Sequence, residues 1–298
     1  MPSWKRLIRF KAVETNEVHL GQPVDSDVDV GLAALQKKAI KVHEVTGASA
    51  FDPNAKVTSK ILTVKELLEP LSREQVGSVR CIGLNYTDHA AEAKMALPDR
   101  PNLFYKPATV IIGPNAPIVI PKVCQPIEHH RPDYEVELVI VIGKVALNVP
   151  EPNALDYVLG YTVGNDISFR YHQLAVSQWC FSKSFDDTTP LGPCIVAASE
   201  INSESLRVMT TLNGEVRQDG TTANLIFGVK KLVAYLSQGT TLSPGTIIYT
   251  GTPKGVGAFA NPPITLKHGD DVRVWIEHIG TLANPVVEEG VASQGAKL

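Results

Sequence analysis

The sequence has few cysteines, and their spacing fits no common metal motif. The 298 residues include four of them, Cys81, Cys124, Cys180 and Cys194. None forms a C-x-x-C pair, and the set matches no zinc-binding spacing. We therefore expect reduced thiols that mostly pack in the core as small apolar side chains.

Long apolar runs and a strong net charge are missing too. No run approaches the roughly 18 apolar residues that span a bilayer. The N-terminal segment MPSWKRLIRFKAVE is basic but lacks the apolar stretch of a signal peptide. The net charge of −3 argues against nucleic acid as the main partner. We expect no membrane partner, no nucleic-acid partner and a cytoplasmic location.

Several common functional motifs are also absent. The glycine-rich segment TGTPKGVG, residues 250–257, has neither the spacing of a phosphate loop nor that of a dinucleotide site. No G-x-S-x-G segment supports a serine hydrolase. Regular alternation of strands and helices is missing as well, which argues against a doubly wound sheet.

Short segments of strand type dominate what is present, from VELVIVIG to DVRVWIEHIG. Helices are predicted only at DHAAEAKMA, at VKKLVAYLSQ and at TVKELLEPL, where Thr63 and Glu66 have the spacing of a capping box. Residues 1–75 are predicted to form a small N-terminal domain of short strands. Residues 76–298 are predicted to form a larger, predominantly β domain.

Paired glutamates open the apolar segment PDYEVELVIVIGK, residues 132–144. In a strand, Asp133, Glu135 and Glu137 share one face. Like charges repel, and burial increases the cost because each ionised group loses its hydration. One interpretation is a solvated strand end; the other is a divalent cation, which would need a third oxygen ligand. Asp166, at the end of the strand YVLGYTVGN, is that candidate ligand, although an aspartate there could also cap a turn.

Two further groups are candidates for chemistry. His89 and Glu92 are three residues apart on a predicted helix, where a carboxylate could orient an imidazole that deprotonates water. The alternative is an ordinary helix surface. Lys183 lies in the polar segment SKSFDDTTPLGP, where it could stabilise an oxyanion or simply be solvated.

Seven blocks in this order resemble the fumarylacetoacetate hydrolase family: GLNYTDHAAE, FYKP, DYEVELVIVIGK, GYTVGNDIS, KSFD with PLGP, NGEVRQDG and TGTPKGVG. The resemblance covers about residues 78–290 and is much weaker before them. It implies a mixed β-sandwich roll behind a small N-terminal domain, usually a homodimer, with a divalent metal at its open end.

The resemblance also implies roles for individual residues. All-oxygen ligation favours Mg²⁺ or Mn²⁺ over zinc, with Ca²⁺ as an alternative bound ion. The implied metal ligands are Glu135, Glu137 and Asp166, the implied catalytic residues are His89, Glu92 and Lys183, and the implied substrate contacts are Arg170, Gln173 and Thr252.

One segment departs from the family pattern. Where members often have A-R-D-x-Q, this chain has FRYHQ, residues 169–173. Arg170 and Gln173 are kept, whereas Phe169 and Tyr171 stand at the other two named positions. Two aromatic side chains there could reshape the substrate pocket, so the departure bears on the identity of the substrate.

These residues predict a metal-dependent enzyme that acts on a 2,4-dioxo acid such as an acylpyruvate or fumarylacetoacetate. A divalent cation would stabilise the enolate of such a substrate, and attack of water would then split a carbon–carbon bond. The alternative is an oxaloacetate keto–enol tautomerase or decarboxylase with the same charged groups. A non-catalytic binding protein is the more distant alternative, because binding alone needs no base.

Overall fold

The computed structural model describes residues 2–291. Met1 and residues 292–298, which end the predicted catalytic domain, lie outside the described residues. None of the described helices has the length and apolar character needed to cross a bilayer.

The α-helices are α1 (Val30–Leu35), α2 (Thr87–Glu92), α3 (Ile127–His130), α4 (Arg170–Ala175) and α5 (Val229–Leu236), and the 3₁₀ turns are Ala108–Val110, Lys122–Cys124, Glu151–Tyr157, Phe181–Lys183, Ala198–Glu200, Thr222–Asn224 and Gly257–Phe259.

Strands make up most of the regular structure, which confirms the prediction of a predominantly β fold. They are β1 (Arg6–Ala12), β2 (Val18–Pro23), β3 (Lys41–Thr46), β4 (Lys56–Leu68), β5 (Val79–Gly83), β6 (Asn102–Lys106), β7 (Ile111–Ile112), β8 (Ile118–Ile120), β9 (Pro132–Asp133), β10 (Val136–Ile142), β11 (Val158–Asn165), β12 (Ser168–Phe169), β13 (Thr189–Ala197), β14 (Arg207–Leu212), β15 (Glu215–Thr221), β16 (Ile247–Tyr249), β17 (Asp271–Ile276) and β18 (Gly280–Glu288).

The strands form a large mixed sheet, a five-stranded sheet and a short two-stranded ribbon. The large sheet has the order β2-β3-β4-β1-β13-β11-β10-β16-β5-β6, with β7 also paired to β13. The five-stranded sheet has the order β15-β14-β17-β18-β8, and the ribbon pairs β12 with β9. In the large sheet β16 lies between β5 and β10, so this short strand joins two parts of the chain that carry candidate site residues.

Strands β1 to β4 form a closed unit. Strand β1 pairs with β2 and with β4, and β3 also pairs with β2 and with β4. The first residues of β1 continue to β13 and attach this unit to the rest of the large sheet. The boundary at residue 75 stays a prediction.

The prediction of a helix at TVKELLEPL was wrong. Thr63 pairs with Lys41 of β3 and Glu66 pairs with Lys11 of β1, so both residues lie within β4. The Thr63 hydroxyl donates to a carboxylate oxygen of Glu14, 2.6 Å away, rather than capping a helix. Pairing with strands on both sides satisfies the backbone more completely than a local capping box can, so the tertiary context overrides the local signal.

The strand β10 is buried on both faces, as its apolar sequence predicts. Leu138, Ile140 and Ile142 pack into one core cluster, whereas Val139 and Val141 pack into another on the opposite face. The paired glutamates therefore lie at the beginning of a strand that is buried along its whole length.

Helix α1 packs closely against β18 at Gly31, and we expect a methyl group there to be costly. A Cβ at Gly31 would overlap the carbonyl oxygen of Thr281, which is fixed backbone. Gly31→Ala should therefore lower the free energy of unfolding by about 1–3 kcal/mol, the usual cost of overpacking. Denaturant unfolding measures the change. Gly228→Ala is the matched control, because nothing lies within 4 Å of a Cβ at that position; equal stabilities of the two variants would contradict the prediction.

Candidate active site

Three carboxylates converge where β10 begins and β11 ends. The pairing of Val136 with Asn165 brings Asp166 beside Glu135, and the Asp166 N–H donates to the Glu135 carbonyl oxygen at 2.9 Å. One carboxylate oxygen from each of Glu135, Glu137 and Asp166 lies within 4.8 Å of the others. The three residues are only 6%, 2% and 1% exposed, which rules out a solvated strand end.

Two buried lysines neutralise part of this charge. The Lys183 Nζ donates to Glu135 Oε2 at 2.8 Å and to Asp166 Oδ2 at 2.6 Å. The Lys106 Nζ donates to the other oxygen of Asp166, also at 2.6 Å. Lys183 also lies over the ring of Phe104, with its Nζ 5.3 Å from the ring centroid. The solvated interpretation of Lys183 is therefore excluded, and its ammonium group is fixed among the carboxylates.

Arg170 is a third buried cation at the cluster. Its Nε and one terminal nitrogen donate to Asp133 Oδ2 at 2.9 and 2.7 Å, and its other terminal nitrogen donates to Glu135 Oε1 at 2.7 Å. The same nitrogen reaches the side-chain oxygen of Gln173 at 2.9 Å. Asp133 also accepts from the N–H groups of Gly257 and Ala258. The guanidinium group thus holds Glu135 in position, and the substrate contact implied for Arg170 stays a prediction.

Glu137 has no cationic partner within residues 2–291. Its Oε2 accepts the N–H of Gly251 at 2.6 Å. Burial, then repulsion from Asp166 and Glu135, raises the pKa of Glu137 well above its usual range. Glu135 behaves differently: burial raises its pKa, but Lys183 and Arg170 outweigh that effect and hold it well below the usual range.

The donor set fits a divalent cation. It consists of buried carboxylate oxygens that converge, and one of them belongs to Glu137, which forms no ion pair within residues 2–291 and would be stabilised by a bound cation. Hard oxygen ligands suit Mg²⁺ or Mn²⁺ better than zinc. Glu135, Glu137 and Asp166 are therefore the residues that could hold such an ion.

The predicted dyad is formed on α2. The His89 Nδ1 lies 3.3 Å from Glu92 Oε2, and the Gly255 N–H donates to both Glu92 oxygens at 3.0 and 3.1 Å. The ring of His89 lies against Phe259, with 5.9 Å between the ring centroids. Because the Gly255 N–H holds the Glu92 carboxylate, Glu92 can fix the orientation of the His89 ring.

The glycine-rich loop 250–257 connects the dyad to the carboxylates. Gly251 and Gly255 have φ values of +97° and +99°, which favour glycine, and their N–H groups contact Glu137 and Glu92 respectively. Thr252 is buried between them, and its hydroxyl oxygen accepts from the Gln218 side chain at 2.8 Å. The N–H groups of Gly251 and Gly255, which in a phosphate loop would face a phosphate, thus bind side chains of the site itself.

Sequence reasoning assigned no role to several residues that organise the site. The alternating pattern placed Asp133 on the face of the glutamates, but Asp133 lies in the separate strand β9, where it pairs with Ser168 of β12. Lys106 lies in the quoted block FYKP, but nothing local predicts that a strand lysine will be buried. Asn85 and Gln218 support the glycine-rich loop through Thr250 and Thr252, over separations that no sequence pattern displays.

Comparisons with known proteins identify the family of this chain. A family model described as fumarylacetoacetate (FAA) hydrolase C-terminal matches residues 78–287. The chain is 55% identical over 289 residues to caffeoylpyruvate hydrolase of Neonothopanus nambi, covering 96% of this chain and 94% of that protein. It is 38% identical over 296 residues to a mitochondrial oxaloacetate tautomerase of Xenopus laevis, covering 95% and 90%.

A solved structure is similar as well. Fumarylpyruvate hydrolase from Pseudomonas aeruginosa, in complex with Mn²⁺ and pyruvate, superposes with a TM-score of 0.65 at 30% identity. The match covers 76% of this chain and 93% of that chain. The family model spans well over half of the chain, and these relatives are enzymes. The chain therefore belongs to the fumarylacetoacetate hydrolase family.

Proposed function

We propose that this protein is a divalent-metal-dependent hydrolase that cleaves a carbon–carbon bond of 2,4-dioxo acids, the acylpyruvates. The observation that carries the proposal is the connection of the His89–Glu92 dyad to the carboxylate cluster by the loop 250–257. A binding protein needs the carboxylates but not the oriented imidazole. The 55% identity to a caffeoylpyruvate hydrolase supports the same reaction.

The charges of the site suit an anionic substrate. With every group of the carboxylate cluster ionised and Glu92 of the dyad left out, Asp133, Glu135, Glu137 and Asp166 face Lys106, Arg170 and Lys183 among the described residues, so the formal charge of the cluster is −1. A divalent ion held by Glu135, Glu137 and Asp166 would make the charge +1 and act as a Lewis acid toward a developing enolate. That net charge complements the carboxylate of a dioxo acid.

The side chains supply the remaining steps. His89, oriented by Glu92, takes a proton from water, whose oxygen attacks the acyl carbonyl carbon at C4. The bond between C3 and C4 breaks, its electron pair stays on C3, and a proton returns there to give pyruvate and a carboxylic acid. Lys183 places its positive charge beside the developing enolate oxygen. Gln173 and Thr252, with Arg170 behind them, are the groups we assign to hold the substrate.

Oxaloacetate keto–enol tautomerisation is the second candidate. It is favoured by the relative named an oxaloacetate tautomerase and by the shared charged cluster, because the reaction needs only proton transfer at C3. Water attack is not part of that reaction.

Product analysis by NMR in D₂O separates the two candidates. Acetylpyruvate and caffeoylpyruvate should each yield pyruvate and the matching carboxylic acid in the presence of Mn²⁺, faster than oxaloacetate exchanges between keto and enol forms. Enzyme stripped with EDTA is the control and should be inactive. Failure to cleave any acylpyruvate, with rapid conversion of oxaloacetate, would establish the tautomerase instead.

We further propose that the enzyme is a homodimer, which light scattering on the purified protein can test. We also propose that the protein is located in the cytoplasm.

A further inference from the structure

A second group of metal-binding side chains lies outside the carboxylate cluster. It consists of Cys124, at the end of the 3₁₀ turn Lys122–Cys124, His130, the last residue of α3, and His172 on α4. One donor atom from each of the three side chains lies within 4.8 Å of the other two. We name these three residues the thiol–imidazole cluster.

The two imidazoles already have the separation that a tetrahedral metal requires. The His130 Nδ1 lies 3.2 Å from the His172 Nε2. Two nitrogens that bind one zinc ion at 2.0–2.1 Å with tetrahedral angles lie about 3.3 Å apart. The Cys124 sulfur, within 4.8 Å of one nitrogen of each imidazole, would complete three ligands, and the fourth tetrahedral position would be left for water or another ligand.

Without an ion, the three side chains have ordinary contacts: Cys124 packs in a core cluster, the two imidazoles are within hydrogen-bond distance of each other, and the His172 ring lies against Phe181 and Phe185. The Cys124 thiol is fully buried and makes no hydrogen bond within residues 2–291.

We propose that Cys124, His130 and His172 bind a transition-metal ion of the zinc class and thereby fasten α3 to α4. One soft thiolate and two imidazoles prefer such an ion to Mg²⁺ or Mn²⁺, so the two sites select different metals. The helix α4 also carries Arg170, the residue that holds Glu135. The second ion would therefore steady the side of the carboxylate cluster that Arg170 supports.

Titration of the full-length, metal-stripped protein with Co²⁺ tests the proposal, because thiolate ligation gives a thiolate-to-cobalt charge-transfer band that oxygen ligation does not. The wild-type protein should show the band, and Zn²⁺ should abolish it by displacement. Cys124→Ser and His172→Asn should lose the band and bind one fewer metal ion per chain by mass spectrometry. Two variants allow for the case in which the buried Cys124 variant does not fold.

Matched controls separate this site from the general effect of losing a thiol or an imidazole. Cys180→Ser and His129→Asn remove the same groups nearby and should keep the band. Glu137→Gln should keep it as well, even though that variant is expected to lose turnover, so the test is independent of the proposed function. The absence of a band in folded wild-type protein at saturating Co²⁺, or its persistence in His172→Asn, would overturn the proposal.

Discussion

Glu137→Gln should remove the divalent ion from the carboxylate cluster and lower kcat by at least about 10²–10³-fold, the usual effect of losing one electrostatic group in a site. Glu137 is the carboxylate of the cluster that forms no ion pair in the described part of the chain, so a bound cation would compensate its charge. Glutamine has the same shape and can still accept the Gly251 N–H. Mn²⁺ content per chain and turnover of acetylpyruvate measure the two losses.

The same substitution should also affect the melting temperature of the metal-free protein. Because burial and like charges raise the pKa of Glu137, its ionised form destabilises the folded state above the pKa of the unfolded chain. Glutamine carries no such cost. At neutral pH, metal-free Glu137→Gln should therefore melt at the same or a higher temperature than the metal-free wild type, while Mn²⁺ should raise the Tm of the wild type only.

An exposed glutamate gives the control. Glu204→Gln should keep both Mn²⁺ binding and turnover, since Glu204 lies at the surface. Full activity of the metal-free wild type would refute the metal dependence, and wild-type Mn²⁺ content in Glu137→Gln would refute this residue as a ligand.

Loss of the dyad should affect hydrolysis far more than metal binding. His89→Ala and Glu92→Ala should each lower kcat on acetylpyruvate by about 10²–10⁴-fold, the usual contribution of a positioned acid–base group. Mn²⁺ content should not change, because neither residue belongs to the carboxylate cluster. Any tautomerisation of oxaloacetate should fall less, since that reaction needs no activated water.

Glu92 requires a second variant, because its oxygens also hold the Gly255 N–H. Glu92→Gln keeps an acceptor for that backbone group and removes only the charge beside His89. A similar loss in Glu92→Gln and Glu92→Ala would assign the effect to the imidazole rather than to the loop. Ala91→Ser, on the exposed side of α2, is the control; wild-type rates in all the dyad variants would show that the pair is only helix surface.

Local patterns in the sequence were sufficient for the parts of the site that are close together in the chain. The spacing of three placed His89 beside Glu92, which follows from the periodicity of one helix. Alternation along residues 132–144 placed Glu135 beside Glu137, although that segment is divided into β9 and β10, and Asp133 pairs with Ser168 of β12. Asp166 and Lys183 were candidates from their local sequence, and the resemblance to a family then supported them.

The remaining features depend on contacts between distant segments. Lys106 reaches Asp166 across 60 residues, and no local pattern distinguishes a lysine that will be buried. The thiol–imidazole cluster was invisible for the same reason: His172 lies 42 residues beyond His130, so no zinc spacing applies. At Thr63 the local signal was present but pairing of β4 with β1 and β3 overrode it.

The position of β16 in the large sheet bears on when the enzyme becomes active during its synthesis. This strand lies between β10, which follows the paired glutamates, and β5, which leads into the dyad helix, although β5 and β16 are separated by more than 160 residues. Until residues 247–249 have left the ribosome, the two halves of the site have no strand to join them. From the end of β10 to the start of β16, at 5–20 residues per second, that delay is roughly 5–20 s. During this interval the nascent chain carries the carboxylate residues and the dyad helix as unconnected pieces, with the edges of β5 and β10 open to wrong partners, so chaperone binding should concentrate there.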